Sequence, residues 1–363
     1  MRMALDWFSG LVGYDASGLR LPKVVCISIE GKVEWQVDKW QEAEGSWSSK
    51  VLVSRGQATE GMYQAARSLG LVKCPLVALR LSGNPTKFLQ GHNVFGPSVS
   101  ELGTVVRETV RRLPEVVRPP DVDSELWPSL YRARVDTAVG VDLGGHRVVH
   151  EWLTAAEGYT RARHGRPLVS GTTVYWGKHS RRWTIKAYCK FCELAEHRPA
   201  DYYEELRAFC EGQLRLELTL RGPELKDRGT LDEAVLWEYY ERLVVGVPKD
   251  EVLDVVEREK AVLSGTKLPR GAKDLVLLWL SKKDVRFDRP KATFYKYRRM
   301  ILDALGVDVS IPWTDQLVQV HRIGFDLEYL RAREVKEVPE YLQGLLFKVP
   351  AGTPRWGVRE RTG

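Results

Sequence analysis

Tyr188 lies between Lys186 and Lys190 in a segment where apolar and polar residues alternate. Alternate side chains of a β-strand share a face, so a strand over 183–191 would place these three side chains together. Two neighbouring ammonium groups favour the phenolate form of a tyrosine and attract a phosphodiester, which makes Tyr188 a candidate nucleophile. The alternative is a tyrosine that packs its ring at the rim of a sheet and exposes its hydroxyl.

Two acidic residues share a second pattern. Asp136 follows Arg134 by two residues, and Glu217 follows Arg215 by two residues, each within a predicted strand. Carboxylate oxygens suit a hard divalent cation, so the two acids could hold one jointly. The same spacing also suits two ordinary ion pairs between arginine and carboxylate at the surface.

The segment Gln90-Gly91-His92 puts an amide and an imidazole on one side of an extended stretch. His92 could bind a metal or a phosphate, but a single histidine is more often only hydrogen-bonded. The sequence contains no Gly-x-x-x-x-Gly-Lys loop and no Gly-x-Ser-x-Gly motif. A P-loop ATPase and a serine hydrolase are therefore disfavoured.

The cysteines raise the question of a zinc site. Five cysteines in 363 residues do not suit a disulfide framework, and their odd number indicates a reducing compartment. Cys189 and Cys192 form a Cys-x-x-Cys pair that is followed by His197 and Cys210. The pair lies in an alternating strand pattern and the further candidates are irregularly spaced, which favours buried or incidental thiols over zinc ligands.

The net charge of +7 is concentrated in two stretches. Residues 159–190 contain eight basic residues and no acidic one, and residues 281–300 have a net charge of +6, which leaves −7 for the rest of the chain. Two basic patches with interleaved aromatic residues are typical of contacts with a phosphate backbone and unpaired bases. Either patch alone could be an ordinary solvated surface. No apolar run approaches the roughly 18 residues of a membrane span, so a cytosolic protein is expected.

Strand patterns dominate the first part of the chain and helical patterns the last. Strands are predicted at 87–95, 131–141, 172–177, 183–191 and 213–221, and helices at 98–113, 200–211, 249–263, 272–281 and 290–306. The final two helices could form a helix-turn-helix or a plain packing unit. We predict an α+β fold, with an antiparallel-sheet domain over residues 1–228 and a helical, DNA-binding domain over residues 229–363.

Four segments resemble a known family and occur in its order. They are Gly83–Gly96 with Gln-Gly-His-Asn-Val-Phe-Gly, Arg134–Thr137 with Arg-Val-Asp-Thr, Thr173–Leu194 around Tyr188, and Leu214–Glu217 with Leu-Arg-Leu-Glu. All are similar to segments of the gene II replication initiators of filamentous phages. The third also resembles the tyrosine region of rolling-circle plasmid initiators. The similarity covers about residues 83–221 and is weaker around 294–305.

The resemblance implies a fold like that of the HUH endonucleases and a nickase that starts rolling-circle replication. Tyr188 would attack a phosphodiester at the double-strand origin, form a 5′-phosphotyrosine and later rejoin the strand. Mg²⁺ or Mn²⁺ would be bound by Asp136 and Glu217, with His92 or Gln90 completing the set. Lys186 and Lys190 would stabilise charge on the phosphate or phenolate. Glu193 matches the family pattern, and its role is open.

The implied partners are origin DNA, as duplex and as nicked strand, and the host polymerase and helicase in the host bacterial cytoplasm, without a membrane. The number of chains on DNA is left open. Two alternatives remain: a non-catalytic origin-binding regulator, and a plasmid-type relaxase, which the lack of a His-hydrophobic-His pair disfavours. The residues expected to contact DNA are Lys87, Asn93, Arg134, Lys178, Arg181, Arg182, Arg215, Lys291, Lys296, Arg298 and Arg299.

Overall fold

The structure is a computed structural model of the 363-residue chain. It describes residues 3–45, 49–70, 72–124, 126–162, 165–196, 202–229, 231–245, 267–281, 283–305, 309–310, 327–348 and 350. The predicted helix at 249–263 and the zinc candidate His197 lie outside the described residues. So do Arg163 and Lys282, one from each of the two basic stretches.

An antiparallel sheet organises the fold, and within the described residues it contains nine strands. In spatial order these are β11 (Leu168–Ser170), β12 (Thr173–Trp176), β13 (Trp183–Cys189), β14 (Gln213–Arg221), β9 (Leu130–Asp142), β1 (Ala4–Asp15), β7 (Val77–Gly83), β5 (Lys50–Gln57) and β4 (Gln41–Glu44). Shorter pairs join β2 (Lys23–Ile27) to β3 (Val33–Asp38), β6 (Val72–Lys73) to β8 (Trp127–Pro128) and β10 (Thr160–Arg161) to β15 (Val244–Val245). The prediction of an antiparallel α+β fold is confirmed.

Helices lie between the strands and follow them. They are α1 (Glu60–Leu69), α2 (Pro85–Gln90), α3 (Leu102–Arg111), α4 (His146–Tyr159), α5 (Lys190–Glu196), α6 (Tyr203–Phe209), α7 (Gly222–Arg228), α8 (Val235–Tyr240), α9 (Arg270–Leu280), α10 (Lys291–Leu305) and α11 (Leu327–Ala332), with 3₁₀ turns at Val99–Glu101, Glu115–Val117 and Glu340–Leu345. The later region of the chain is helical, as predicted. None of the helices in the described ranges has both the length and the apolar character needed to cross a bilayer.

Two local predictions are wrong. The segment predicted as a strand at 87–95 begins instead with helix α2, because the Asn84 side chain accepts a hydrogen bond from the Lys87 amide and Pro85 fits the first helical turn. Gly91 then ends the helix at φ 87°, a conformation that favours glycine. The strand predicted at 183–191 stops at Cys189, and Lys190 is the first residue of α5.

The apolar core lies against one face of the sheet. In β14 the leucines at 214, 216, 218 and 220 are all fully buried on this face, as the alternation predicts. The same core includes Leu275 of α9 and Phe294 of α10. Apolar packing is thus continuous across residue 228, and the division into domains at that position stays a prediction. The opposite face of β14 presents Gln213, Arg215, Glu217 and Thr219, and the candidate site lies there.

Candidate active site on the polar face of the sheet

Cross-strand pairing brings the predicted chemical groups together. Lys186 on β13 pairs with Glu217 on β14, and Tyr188 pairs with Arg215. On the other side of β14, Thr219 pairs with Asp136 of β9. Directly paired residues in a sheet project from the same face, so the phenol, the two carboxylates and the lysine predicted from sequence share one surface.

Tyr188 is buried, with 7% of its surface exposed, and its hydroxyl donates a 2.5 Å hydrogen bond to Oε1 of Glu217. Burial, together with the negative charge of Glu217, raises the pKa of the phenol well above its ordinary value. This shift is opposite to the one expected from two flanking lysines. The ammonium groups of those lysines instead contact carboxylate and amide oxygens.

Glu217 is the centre of the cluster. Its side chain is 1% exposed, and its Oε2 lies 2.6 Å from Nζ of Lys186 while its Oε1 accepts the phenolic proton. Burial and the nearby Asp6 carboxylate raise the pKa of Glu217, although Lys186 and Arg215 oppose the shift. A carboxylate with a raised pKa that already accepts a hydrogen bond from a phenol is suited to act as a general base.

Asp136 is held by its own strand. Arg134, two residues earlier, donates through Nε at 2.8 Å and through a terminal nitrogen at 2.5 Å, one bond to each carboxylate oxygen. Asp136 is 2% exposed, and burial raises the pKa of its carboxyl despite the arginine. The guanidinium of Arg134 also lies over the ring of Trp7. The Arg-x-Asp spacing noted in the sequence is therefore an ion pair between a half-exposed arginine and a buried aspartate.

Asp6 is a third carboxylate at the site that sequence reasoning missed. On β1, Leu5 pairs with Thr137 and Trp7 pairs with Asp136, so Asp6 is the extra residue of a β-bulge. A bulge redirects the side chain of its extra residue relative to simple alternation. The sequence feature that could have indicated Asp6 is its position as a single acidic residue within the apolar run from Met3 to Phe8.

Asp6 forms hydrogen bonds with polar groups from distant parts of the chain. Its Oδ1 accepts hydrogen bonds from Asn84 at 3.2 Å, Asn93 at 2.9 Å and Arg215 at 3.1 Å. Burial opposes ionisation, but the charges of Arg215 and Lys186 and the Asn93 bond outweigh it and lower the pKa of Asp6. Asp6 thus remains the ionised partner of a buried arginine.

Arg215 and Lys190 lie inside the protein. Arg215 is 1% exposed, donates to the Val94 carbonyl at 2.9 Å and lies 3.7 Å from Glu217. Lys190 is fully buried at the start of α5, where Nζ contacts Asn93 at 2.9 Å and Glu193 at 2.7 Å. Arg215 is thus buried and Asn93 half-buried, and both, although predicted to contact DNA, hydrogen-bond to Asp6 within the cluster. Glu193 is the counter-ion of Lys190.

Gln90 and His92 hydrogen-bond to backbone groups. The Gln90 amide donates to the Phe95 carbonyl at 2.6 Å and accepts from the Phe347 amide at 2.9 Å. His92 contacts the Leu345 carbonyl at 3.3 Å, and its ring packs edge-on against Phe95. Burial lowers the pKa of His92 to about 4. Their contacts connect α2 and the loop after it to the segment near residue 345.

Five of the predicted DNA-contacting residues in the two basic stretches line neighbouring cavities. One cavity of about 1090 Å³ is lined by Lys178, Arg181 and Arg182 at the β12–β13 turn and by Tyr175, the cross-strand partner of Lys186. A second, of about 660 Å³, is lined by Lys291 and Arg298 of α10. Arg166 lines both cavities and donates to Ser310. We refer to these two adjoining cavities together as the cationic groove.

The remaining predicted contacts differ in exposure. Lys296 and Arg299 are exposed on α10, and Lys87 is half-buried on α2. Arg182 is exposed but forms ion pairs with Glu224 and Asp227. Exposed cations can reach a phosphate without first breaking buried contacts, so α10 and the β12–β13 turn are the accessible parts of the predicted set.

Taken together, the fold and the site define an α+β protein with a tyrosine–carboxylate–lysine cluster on the polar face of an antiparallel sheet. The family described as the N-terminal part of the phage replication-associated protein matches residues 5–239. The chain belongs to this family, and the resemblance to phage gene II initiators is confirmed.

Individual relatives show the extent of the similarity. The replication-associated protein of Enterobacteria phage I2-2 is 29% identical over 319 residues, which cover 85% of this chain and 88% of that protein. The protein of the same name from Salmonella phage IKe is 29% identical over 122 residues, which cover 32% and 27%. A solved rolling circle replication initiator protein from Geobacillus stearothermophilus aligns over 70% of this chain and 89% of that chain, with 11% identity and a TM-score of 0.29.

Proposed function

We propose that this chain is a phage replication initiator that nicks its double-strand origin with Tyr188 and later rejoins the strand. Its family is replication-associated, and its relatives are replication-associated proteins of phages. The observation that carries the proposal is the hydrogen bond from the Tyr188 hydroxyl to the buried Glu217 carboxylate. A phenol paired with a base, beside cationic groups that suit a phosphate, has the parts needed for phosphodiester attack.

The proposed chemistry starts with proton transfer. Burial and Glu217 raise the pKa of Tyr188, so a phenolate is not formed in advance and the proton must leave during the attack. Glu217 takes this proton as the phenolic oxygen bonds to phosphorus. The bond from phosphorus to the 3′ oxygen breaks, and that oxygen takes up a proton to become a 3′ hydroxyl. The 5′ phosphate stays on Tyr188, and attack by a later 3′ hydroxyl reverses the steps and joins the strand.

Lys186 is positioned to bind the incoming phosphate. Its side chain is about one-third exposed, its Nζ bonds to Glu217, and it lies over the ring of Tyr188 at 5.3 Å from the centroid. We propose that an incoming phosphate draws the ammonium group away from Glu217 and thereby uncovers the phenol. The same ammonium then balances charge on the phosphate in the transition state. Lys190, which is fully buried, holds the start of α5 in place.

The family resemblance also implies a divalent cation, and the donor chemistry of this face fits one. Asp136 and Glu217 offer carboxylate oxygens on adjacent strands, and the pKa of each is raised by burial and by Asp6, so added positive charge would stabilise their ionised forms. We propose that Asp136 and Glu217 hold the ion, with Asp6 beside them. When bound, Mg²⁺ or Mn²⁺ would polarise the scissile phosphate. His92 and Gln90, which the sequence also offered, hydrogen-bond to backbone groups in this structure, so the proposed set names only the carboxylates.

DNA would lie along the cationic groove. The groove reaches Tyr175, whose cross-strand partner is Lys186, so a strand bound there leads towards the nucleophile. Basic residues of α10 extend the same surface for duplex DNA. The proposed setting is the host bacterial cytoplasm, where a host polymerase would extend the 3′ hydroxyl and a host helicase would unwind the duplex.

The deciding experiment compares two tyrosine variants. Supercoiled replicative DNA of the genome that encodes this chain is incubated with Mg²⁺ or Mn²⁺ and with wild type, Tyr188→Phe or Tyr175→Phe. Tyr175 is the matched control, because it lies on the next strand and presents the same face. We expect open circles and a covalent 5′ protein–DNA adduct with wild type and Tyr175→Phe, and neither with Tyr188→Phe.

Other results would redirect the proposal. Equal nicking by Tyr188→Phe would remove the nucleophile assignment. Retardation of origin DNA by a wild-type chain that makes no nicks would favour the non-catalytic origin-binding regulator. Nicking of a transfer origin in place of a replication origin would favour the relaxase.

A further inference from the structure

Three potential metal ligands meet behind the proposed nucleophile. Nε2 of His150 lies 3.1 Å from Sγ of Cys192, and these two atoms and Sγ of Cys189 all lie within 4.8 Å of one another. Cys189 is 1% exposed, and the other two are half-buried. In the described part of the chain, this is the only group of three or more His, Cys, Asp or Glu ligand atoms that close together.

The fold brings these ligands from three different elements. Cys189 ends strand β13, with its side chain on the face opposite Tyr188, and Cys192 lies in the first turn of α5. Cys189 directly precedes α5, and its Sγ lies within 4.8 Å of Sγ of Cys192. His150 reaches these sulfurs from α4, which packs against β13. The sequence separation of 42 residues between His150 and Cys192 hides this contact from any local motif.

The donor atoms select the class of ion. Two thiolates and an imidazole suit a soft or borderline ion, whereas Mg²⁺ and Ca²⁺ take oxygen ligands. Tetrahedral zinc with Zn–S near 2.3 Å and Zn–N near 2.0 Å requires its ligand atoms to lie roughly 3.5 to 3.8 Å apart. Nε2 of His150 and Sγ of Cys192 lie 3.1 Å apart and no pair exceeds 4.8 Å, so side-chain movements would be needed to bring the three atoms to this spacing.

We propose that Cys189, Cys192 and His150 bind one Zn²⁺, with solvent in the fourth position. Cys210, which the sequence pattern also offered, lies fully buried in a separate apolar cluster with Val94 and Phe95. The zinc ligands therefore differ from the set that sequence spacing suggested. This site is separate from the Mg²⁺ or Mn²⁺ site, which lies on the other face of the sheet and has oxygen donors only.

The position of the zinc site suggests what it does. The ion would join α4 to the junction between β13 and α5, and that junction carries Tyr188 and Lys190 on either side of Cys189. A fixed junction would keep the phenol of Tyr188 beside Glu217 and the ammonium group of Lys190 beside Asn93 and Glu193. This consequence for nicking rests on the proposed function, whereas zinc binding itself does not.

Metal content gives the direct test. Full-length chain is purified without chelators from cells grown with added zinc, and the zinc is measured by inductively coupled plasma mass spectrometry. We expect stoichiometric zinc in wild type and little in Cys192→Ser or His150→Ala. His150→Cys, which supplies a third thiolate, should keep the ion, as should the matched control Cys210→Ser. Cobalt added to the metal-depleted wild type should give thiolate-to-cobalt charge-transfer absorption. Cys192→Ser and His150→Ala, which are expected to lose zinc, should lack this absorption.

Several results would overturn the site. One is a wild-type protein that binds neither zinc nor cobalt while both cysteine sulfurs react with a thiol reagent. Another is a Cys192→Ser variant that contains as much zinc as wild type. A mass showing a Cys189–Cys192 disulfide in freshly purified protein would replace the site with a redox pair.

Activity measurements separate this proposal from the nickase proposal. Tyr188→Phe should abolish nicking and keep its zinc. His150→Ala should lower the nicking rate by about tenfold, and His150→Cys should restore it. If wild type fails to nick but binds zinc at these residues, the proposed function fails and the site stands.

Discussion

The charged residues of this protein are held in two different ways at the two ends of its polar surface. Around Tyr188 the charges are buried and paired: Arg215 and Glu217 are each 1% exposed, and Lys190 is not exposed at all. In the groove, Lys178 and Arg181 are exposed. Buried pairs keep a fixed geometry and are poorly screened, whereas exposed cations are mobile and sensitive to salt. The difference fits the proposed function, in which one end carries out the chemistry and the other binds DNA.

The largest effect should follow from removing the proposed base. Glu217→Gln keeps the size of the side chain but cannot take the phenolic proton, so the single-turnover nicking rate should fall by about 10² to 10⁴. Glu224→Gln is the matched control, because Glu224 also accepts a hydrogen bond from a buried tyrosine, Tyr239. At saturating DNA its rate should stay close to that of wild type, because Glu224 contacts Tyr239, Arg182 and Arg242. Equal losses in both variants would mean that Glu217 only supports the structure.

The rate should also depend on pH in a defined direction. Burial raises the pKa of Glu217 above its usual value, and only its ionised form accepts a proton. The nicking rate should therefore rise as pH increases through the pKa of Glu217, which a bound cation would lower, and then level off, since the pKa of Tyr188 lies far higher. Rates are measured at saturating DNA from weakly acidic to weakly basic pH. A rate that falls over this range would contradict proton transfer to Glu217.

The next effect concerns stability. Asp6→Asn removes the negative partner of Arg215, which is buried, and an uncompensated buried charge typically costs about 3 to 5 kcal/mol. Denaturant unfolding should show that loss. Asp142→Asn, at an exposed position where the amide oxygen can still accept from Gly144, should change stability by less than about 0.5 kcal/mol. A small loss for Asp6→Asn would show that Glu217 alone balances Arg215.

His92 gives a smaller effect that depends on pH. The pKa of this buried histidine is lowered to about 4, whereas in the unfolded chain it is near 6.5. Between these values only the unfolded state takes up the proton, so stability falls as pH decreases. The loss from pH 7 to pH 5 should be about 2 kcal/mol. His92→Gln should remove this slope, and His179→Gln, at an exposed histidine, should keep it. Equal slopes in wild type and His92→Gln would contradict the assignment.

Residue patterns were sufficient to predict one side of the site. Strand alternation placed Lys186, Tyr188 and Glu217 on a common face, because the side-chain period of a strand is the same whatever it packs against. Alternation fails at Asp6, because a bulge separates it from the register of Phe8, and bulges depend on the partner strand. The contact between His92 and Leu345 spans 253 residues, and no local pattern encodes it.

The pKa of Tyr188 shows a second limit of sequence reasoning. Two flanking lysines were expected to lower it, and that holds only if their charges act on the phenol. The fold instead pairs Lys186 with Glu217, and Lys190 with Asn93 and Glu193, and it buries the ring. Desolvation then dominates and raises the pKa. Neighbours in the sequence identify the available charges, and only the fold determines which partner each one contacts.

The smallest effect per residue is expected in the groove. Lys178→Gln and Arg181→Gln should each lower the slope of log affinity against log salt concentration by about one, because each exposed cation displaces roughly one counterion from DNA. Unfolding free energy should change by less than about 0.5 kcal/mol. Lys32→Gln, an exposed lysine of the β2–β3 hairpin, is the control and should leave the slope unchanged. Unaltered slopes in the groove variants would place the DNA elsewhere, whereas a large loss of stability would mean that this end of the surface is built like the buried one.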